Sequence, residues 1–177
     1  MGDFVESGMK FVFPDEQIFR IEKSRFYMDI NDRRKSLSSV ECLYFNKNVL
    51  SFIEAKSSFP KVSNVEDFNK NIHDVSDKFI HSFELYLSHF VGVNTMLPDE
   101  TPARFLDYDL SSKKKIVFAL IINCKNVEKC YLPDMISTIQ NAFLKRFGGH
   151  KSIWGVDFIT LDHETAMEKN LVEGLAE

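Results

Sequence analysis

The chain is poor in cysteine, in long apolar runs and in positive charge. Its three cysteines, Cys42, Cys124 and Cys130, lack the CxxC spacing of zinc sites, which excludes the common zinc-ribbon and zinc-finger patterns. An odd number leaves one thiol unpaired in any disulfide scheme, so the simplest setting is a reducing cytoplasm with the cysteines as small buried hydrophobes. No apolar stretch approaches the roughly eighteen residues of a membrane span. No charged-then-apolar leader opens the chain either, so the expectation is a soluble intracellular protein with no membrane partner. Lys and Arg number 22 against 26 Asp and Glu, a net charge of −4. That sign argues against a dedicated nucleic-acid-binding module, which normally carries a basic footprint. It leaves room for a catalytic site, where local charge and bound metal set the field. Internal repeats, low-complexity segments and domain linkers are also missing.

Phenylalanine is what the chain has in excess, with 17 in 177 residues, 44% hydrophobic overall. Such a composition can bury one thick aromatic core, and the expectation is a single domain over residues 1–177. Residues 10–13 suit a short strand, whereas 14–29 are ambiguous between helix and strand. Two strands, 40–45 and 49–56, flank Asn46-Lys47-Asn48, a hairpin turn in which Asn tolerates positive φ. Ser63 and Glu66 form a capping box, after which Val65, Phe68, Ile72, Val75 and Phe79 recur at helical spacing to about Phe90. Residues 92–113 read as a long connection. The fully apolar run 116–122 suits a strand buried on both faces. Leu132, Met135, Ile136, Ile139, Phe143 and Phe147 mark a second helix, started by Pro133 and stopped by Gly148-Gly149. A strand over 154–161 and a short helix complete the order. The fold class this predicts is α/β, with an antiparallel hairpin followed by a parallel strand-helix-strand crossover and helices flanking the sheet.

Glu54-Ala55-Lys56 is the chain's one acidic-x-lysine triplet, and it closes the apolar strand 49–56. Side chains alternate along a strand, so Leu50, Phe52, Glu54 and Lys56 share one face. A two-residue loop at 47–48, or a symmetric four-residue loop, sets Glu41 directly opposite Glu54; a three-residue loop turns Glu41 to the other face. Opposed carboxylates repel by a few tenths to about 1 kcal/mol, and a fold that keeps them needs a compensating charge. A divalent cation such as Mg²⁺ needs only one or two protein carboxylates, because it keeps several waters. Lys56 adds a positive charge for a phosphate or an activated hydroxide, which together is the equipment of metal-assisted phosphodiester hydrolysis. The alternative is an ordinary solvated face carrying a Glu-Lys pair.

The hairpin Val40-Glu41-Cys42-Leu43-Tyr44-Phe45, turn, Phe52-Ile53-Glu54-Ala55-Lys56-Ser57-Ser58 resembles the PD-(D/E)xK, or restriction-endonuclease-like, nuclease superfamily. More narrowly, it is similar to a small bacterial family with a Val-Glu hairpin ending in Ile-Glu-Ala-Lys-Ser-Ser. The resemblance implies a restriction-endonuclease-like mixed sheet. It also implies that Glu41 and Glu54 bind Mg²⁺ or Mn²⁺, that Lys56 assists catalysis, and that Glu22, in Ile21-Glu22-Lys23-Ser24, serves as a further acid from an N-terminal element. The first acid is Glu rather than the commoner Asp, and no Pro precedes it. The function this implies is a metal-dependent nuclease, with DNA as first-choice partner and a homodimer as a compatible assembly. The alternative is a non-catalytic interaction or regulatory module on the same fold.

Other charged groups are weaker candidates. Lys113-Lys114-Lys115, Arg33-Arg34-Lys35 and the group Lys145, Arg146, His150 and Lys151 have the charge to touch phosphates, but such groups are usually solvated faces or helix-end caps. His73, His81 and His89 recur every eight residues on the long helix and so drift around its surface without converging. Ser57 and Ser58 either bond phosphate oxygens or simply end the strand.

Overall fold

A computed structural model describes residues 2–34, 37–109 and 115–176, with the backbone but not the side chains of Arg33 and Arg34. The chain opens with a hairpin of β1 (Gly2–Glu6) and β2 (Met9–Phe13). Glu6 pairs with Met9, and the two loop residues Ser7 and Gly8 both take positive φ (53° and 72°), as a tightly twisted two-residue hairpin requires. Residues 14–29 resolve into both of the expected states. Two single helical turns, Asp15–Gln17 and Ile21–Lys23, bracket the two-residue β3 (Ile18–Phe19), and α1 (Arg25–Arg34) follows.

The central hairpin is β4 (Cys42–Asn46) and β5 (Val49–Lys56). Asn46 pairs with Val49 and Cys42 with Ile53, the register of a two-residue loop. Lys47, rather than either asparagine, takes the positive φ (51°). Glu41 lies just before β4 and not within it; its N–H donates to the carbonyl of Ile53 at 2.9 Å.

Next comes α2 (Val65–Phe90), whose cap falls one residue later than expected. Asn64, not Ser63, caps it by accepting from the Asp67 N–H, and Val65 is left exposed rather than joining the apolar stripe. The connection after it holds a single helical turn, α3 (Ala103–Leu106). Then follow β6 (Lys115–Ile122), α4 (Leu132–Arg146), α5 (Gly148–Trp154), β7 (Asp157–Asp162), α6 (His163–Glu168) and β8 (Gly174–Leu175). Gly148-Gly149 do not end the helical path. Glycine costs only about 1 kcal/mol in a helix, and the true stop is Gly155 at φ 66°. Trp154 therefore belongs to α5, half-exposed, and the strand expected from 154 begins at Asp157.

Five strands form a mixed sheet in the order β3-β4-β5-β6-β7, antiparallel through β5 and parallel from β5 to β7. There are two parallel crossovers rather than one, since α2 returns from β5 to β6 and α4 with α5 from β6 to β7. The sheet is not flanked by helices on both sides. One face packs Leu43, Leu50, Phe52, Phe118, Leu120 and Phe158 beneath α2 and α4. The other packs Cys42, Ile53, Ala55, Ala119 and Ile121 beneath Met9, Phe11 and Phe13 of a small antiparallel sheet, β1-β2-β8, and beneath Ala166 of α6. Both faces of β6 are covered, as its unbroken apolar run requires. Phe118 is fully buried, stacks on Phe79 at 5.0 Å between ring centres, and meets the edges of Phe52, Phe83 and Phe147. Burial of such a ring contributes about 1.5–3 kcal/mol, with edge contacts adding to it.

Candidate active site

Alternation along β5 turns Leu50, Phe52, Glu54 and Lys56 toward α2. The first two enter the aromatic core. The next two meet a lysine that the helix supplies. Lys78 Nζ donates to Glu54 Oε1 at 2.7 Å and to Glu41 Oε1 at 3.3 Å, while Lys56 Nζ lies 3.5 Å from Glu54 Oε1. Glu41, Glu54 and Lys56 are therefore brought together, with Lys78 between the two acids. Ser82, one turn further along α2, accepts the Val40 N–H at 2.9 Å and ties the residue before Glu41 to the same helix.

Glu54 is completely buried and Glu41 nearly so, whereas the side chains of Lys56 and Lys78 are each about a quarter exposed. The solvent-facing side of the quartet is thus its cationic side. Glu54 Oε2 is buried without a hydrogen-bond partner, an arrangement that costs free energy unless another group satisfies it. Burial pushes the Glu54 carboxyl up from 4.5 to about 7, against the opposing pull of Lys78. Glu41 is raised for the same reason, burial first, with the nearby charges of Glu6 and Glu22 adding to it. For Lys78, burial acts to lower the value, but its bonds to Glu54 and Glu41 outweigh burial and keep the ammonium charged.

Glu22 is close enough for its charge to reach Glu41, but its carboxylate is engaged elsewhere. Its Oε1 accepts from Arg20 at 2.7 Å and lies 3.6 Å from Lys23. Lys78 is the residue that sequence reasoning missed. The signal was present, since Lys78 falls three residues after Val75 and four before Ser82, inside the buried stripe of α2. A charge on an apolar stripe needs a buried partner.

The remaining candidates stay apart from the quartet. His73 pairs with Asp77 and Arg146, His81 with Ser38, and His89 with the Met96 N–H. Lys151 and Lys115 both bind Asp157, at 3.3 and 2.8 Å. Lys113 and Lys114, Lys35, and the side chains of Arg33 and Arg34 lie outside the described residues. Ser57 and Ser58 are exposed at the carboxyl end of β5 and line a cleft of about 300 Å³, whose walls do not include Glu41, Glu54, Lys56 or Lys78.

Among the described residues no three His, Cys, Asp or Glu side chains are grouped to hold a metal ion. Two carboxylates are enough for a hard cation that keeps its waters, and the unpartnered Glu54 Oε2 is a free oxygen of the required kind. The donor set therefore fits Mg²⁺ or Mn²⁺, with Glu41 and Glu54 as the residues that would hold it. No helix among the described residues is long and apolar enough to cross a membrane. No protein-family profile matches the chain, and neither a curated protein nor a solved structure matches it significantly.

Proposed function

We propose that the protein is a Mg²⁺- or Mn²⁺-dependent nuclease of the restriction-endonuclease-like fold, hydrolysing phosphodiester bonds with DNA as its first substrate. The observation that carries this reading is the meeting of Glu41, Glu54 and Lys56 on one face of the β4–β5 hairpin, with one buried Glu54 oxygen lacking a partner. The strand order supports it too. An antiparallel β3-β4-β5 set, a helix, and a parallel β6, with an acid before β4 and the triplet ending β5, is the layout the resemblance implies.

When bound, the cation supplies Lewis-acid activation of water and charge for the scissile phosphate. Glu54 offers Oε2, while Oε1 stays bonded to Lys78. Glu41 keeps the second carboxylate in register through its backbone bond to Ile53 and through the Val40–Ser82 bond beside it. Lys56, the partly exposed cation at the strand end, donates from Nζ toward a phosphate oxygen or the attacking water. Lys78 holds the two acids together until they are otherwise neutralised, which explains how the fold tolerates the pair.

In Mg²⁺ or Mn²⁺ the purified protein is expected to cleave at least one of single-stranded DNA, duplex DNA or RNA. Lys56→Ala and Glu54→Gln should each lower the rate roughly a hundredfold or more. Equal rates for wild type and Lys56→Ala would remove the assignment.

One observation favours a second reading. Lys78 already bridges both carboxylates, so an internal cation replaces the metal in a non-catalytic module of the same fold. That reading predicts no metal-linked cleavage of any substrate.

A further inference from the structure

Directly after Lys56, the chain leaves the sheet and forms one wall of two joined clefts. The first, of about 300 Å³, lies at the carboxyl ends of β5 and β6 and is lined by Ser57, Ser58, Asn123, Lys125 and Asn126. The second, of about 520 Å³, lies between residues 59–62 and the start of α4, and is lined by Val62, Val127, Tyr131 and Met135. Phe59, Asn126, Val127 and Met135 belong to both, so the two are continuous.

Their chemistries differ. The first cleft has a cation and short polar side chains but no acid in its wall. Among the described residues, the Lys125 ammonium and the hydroxyls of Ser57 and Ser58 have no hydrogen-bond or ion-pair partner. Groups of this kind bind a phosphate. The second cleft is apolar, with Tyr131 about two-thirds exposed and Val62 about half. Lys61 lines it, but so do Glu128 and Asp134. That acidic balance disfavours a phosphate and suits a base, whose face stacks on tyrosine and whose amino groups donate to carboxylates.

We infer that the joined clefts hold one nucleotide unit of a single strand, its phosphate on Ser57, Ser58 and Lys125 and its base against Tyr131, beside the bond presented to Lys56. The inference rests on the nuclease reading for its direction, since the clefts begin where the triplet ends. A base in a duplex is stacked and paired on its neighbours and cannot lie on Tyr131, so the site selects single-stranded nucleic acid.

The test is fluorescence anisotropy of the full chain with a labelled oligothymidylate and with a duplex of equal length, in EDTA so that neither metal nor cleavage enters. Wild type should bind the single strand at least tenfold more tightly than the duplex. Tyr131→Ala should weaken single-strand binding about tenfold, the order of one stacked base, and leave duplex binding unchanged. Tyr131→Phe should restore it. Lys125→Ala should weaken binding and reduce the salt slope by about one phosphate contact. Equal binding of the two forms, no binding, or no effect of Tyr131→Ala would overturn the inference. Tyr131-dependent binding without metal-linked cleavage would keep the inference and sink the nuclease reading. Cleavage with binding blind to strand form and to Tyr131 would do the reverse.

Discussion

The two faces of the central sheet are made from alternate residues of the same strands, yet one is aromatic and charged and the other aliphatic and neutral. Toward the helices, β5 and β6 present Phe52, Glu54, Lys56, Phe118 and Leu120; toward the small sheet they present Ile53, Ala55, Ala119 and Ile121. The difference follows from what covers each face. Helices leave room for rings and carry long side chains inward from their stripes, so α2 can bring Lys78 to two buried carboxylates. The inward residues of β2, Met9, Phe11 and Phe13, are all apolar and give an acid no partner. A charge can therefore be kept on the helix face, where it is paired, and not on the other.

The largest effect should come from the aromatic layer. Phe118→Ala removes a ring touching Phe52, Phe79, Phe83 and Phe147 and should cost about 3–5 kcal/mol in urea unfolding. Ala119→Val, its neighbour on the opposite face, should cost about 1–3 kcal/mol through overpacking instead. A wild-type urea midpoint for Phe118→Ala would place β6 at an edge and undo the layering.

Lys78→Met tests the charged part of the helix face. It leaves Glu41 and Glu54 without their shared donor and should cost about 3 kcal/mol at pH 8, the low end for breaking a buried pair. The loss should shrink toward pH 6, where Glu54 can take up a proton. A pH-independent loss would mean that Lys78 acts by packing rather than by charge.

A smaller effect distinguishes Glu54 itself. Its folded value is raised from 4.5 to about 7, so the folded state holds the proton more tightly than the unfolded chain. The stability this gives is fully present below about pH 4.5 and is lost as pH rises through about 7. Metal-free wild type should therefore lose on the order of 2 kcal/mol across that window, and Glu54→Gln should flatten the slope. Parallel curves for the two proteins would show that Glu54 is ionised throughout.

Much of the fold was legible because local chemistry and burial agreed. The loop at 47–48 set the register that brings Glu41 opposite Glu54, and the apolar run 116–122 could only be a strand covered on both sides. What covers each side was not legible. The two-residue strands β3 and β8 are too short to show a period, and β1, with Gly2, Asp3 and Glu6 among its five residues, lacks a strand's composition. Gly148 and Gly149 look like a stop, but Phe147 beside them is held in the core by Phe79, Phe118 and Phe158, and the helical path continues. In the candidate site, the acids and Lys56 could be read because strand alternation fixes a face. Lys78 could not be paired with them from sequence, because that contact depends on how α2 lies across the sheet.

The central claim, that Glu41 and Glu54 form a metal site despite Lys78, is tested most directly by counting Mn²⁺ bound at pH 8 with electron paramagnetic resonance. Wild type is expected to bind one ion, Glu41→Gln and Glu54→Gln to lose it or weaken it at least tenfold, and Mg²⁺ to compete for it. No bound Mn²⁺ in wild type, or undiminished binding in Glu54→Gln, would contradict the claim and leave Lys78 as the site's permanent cation.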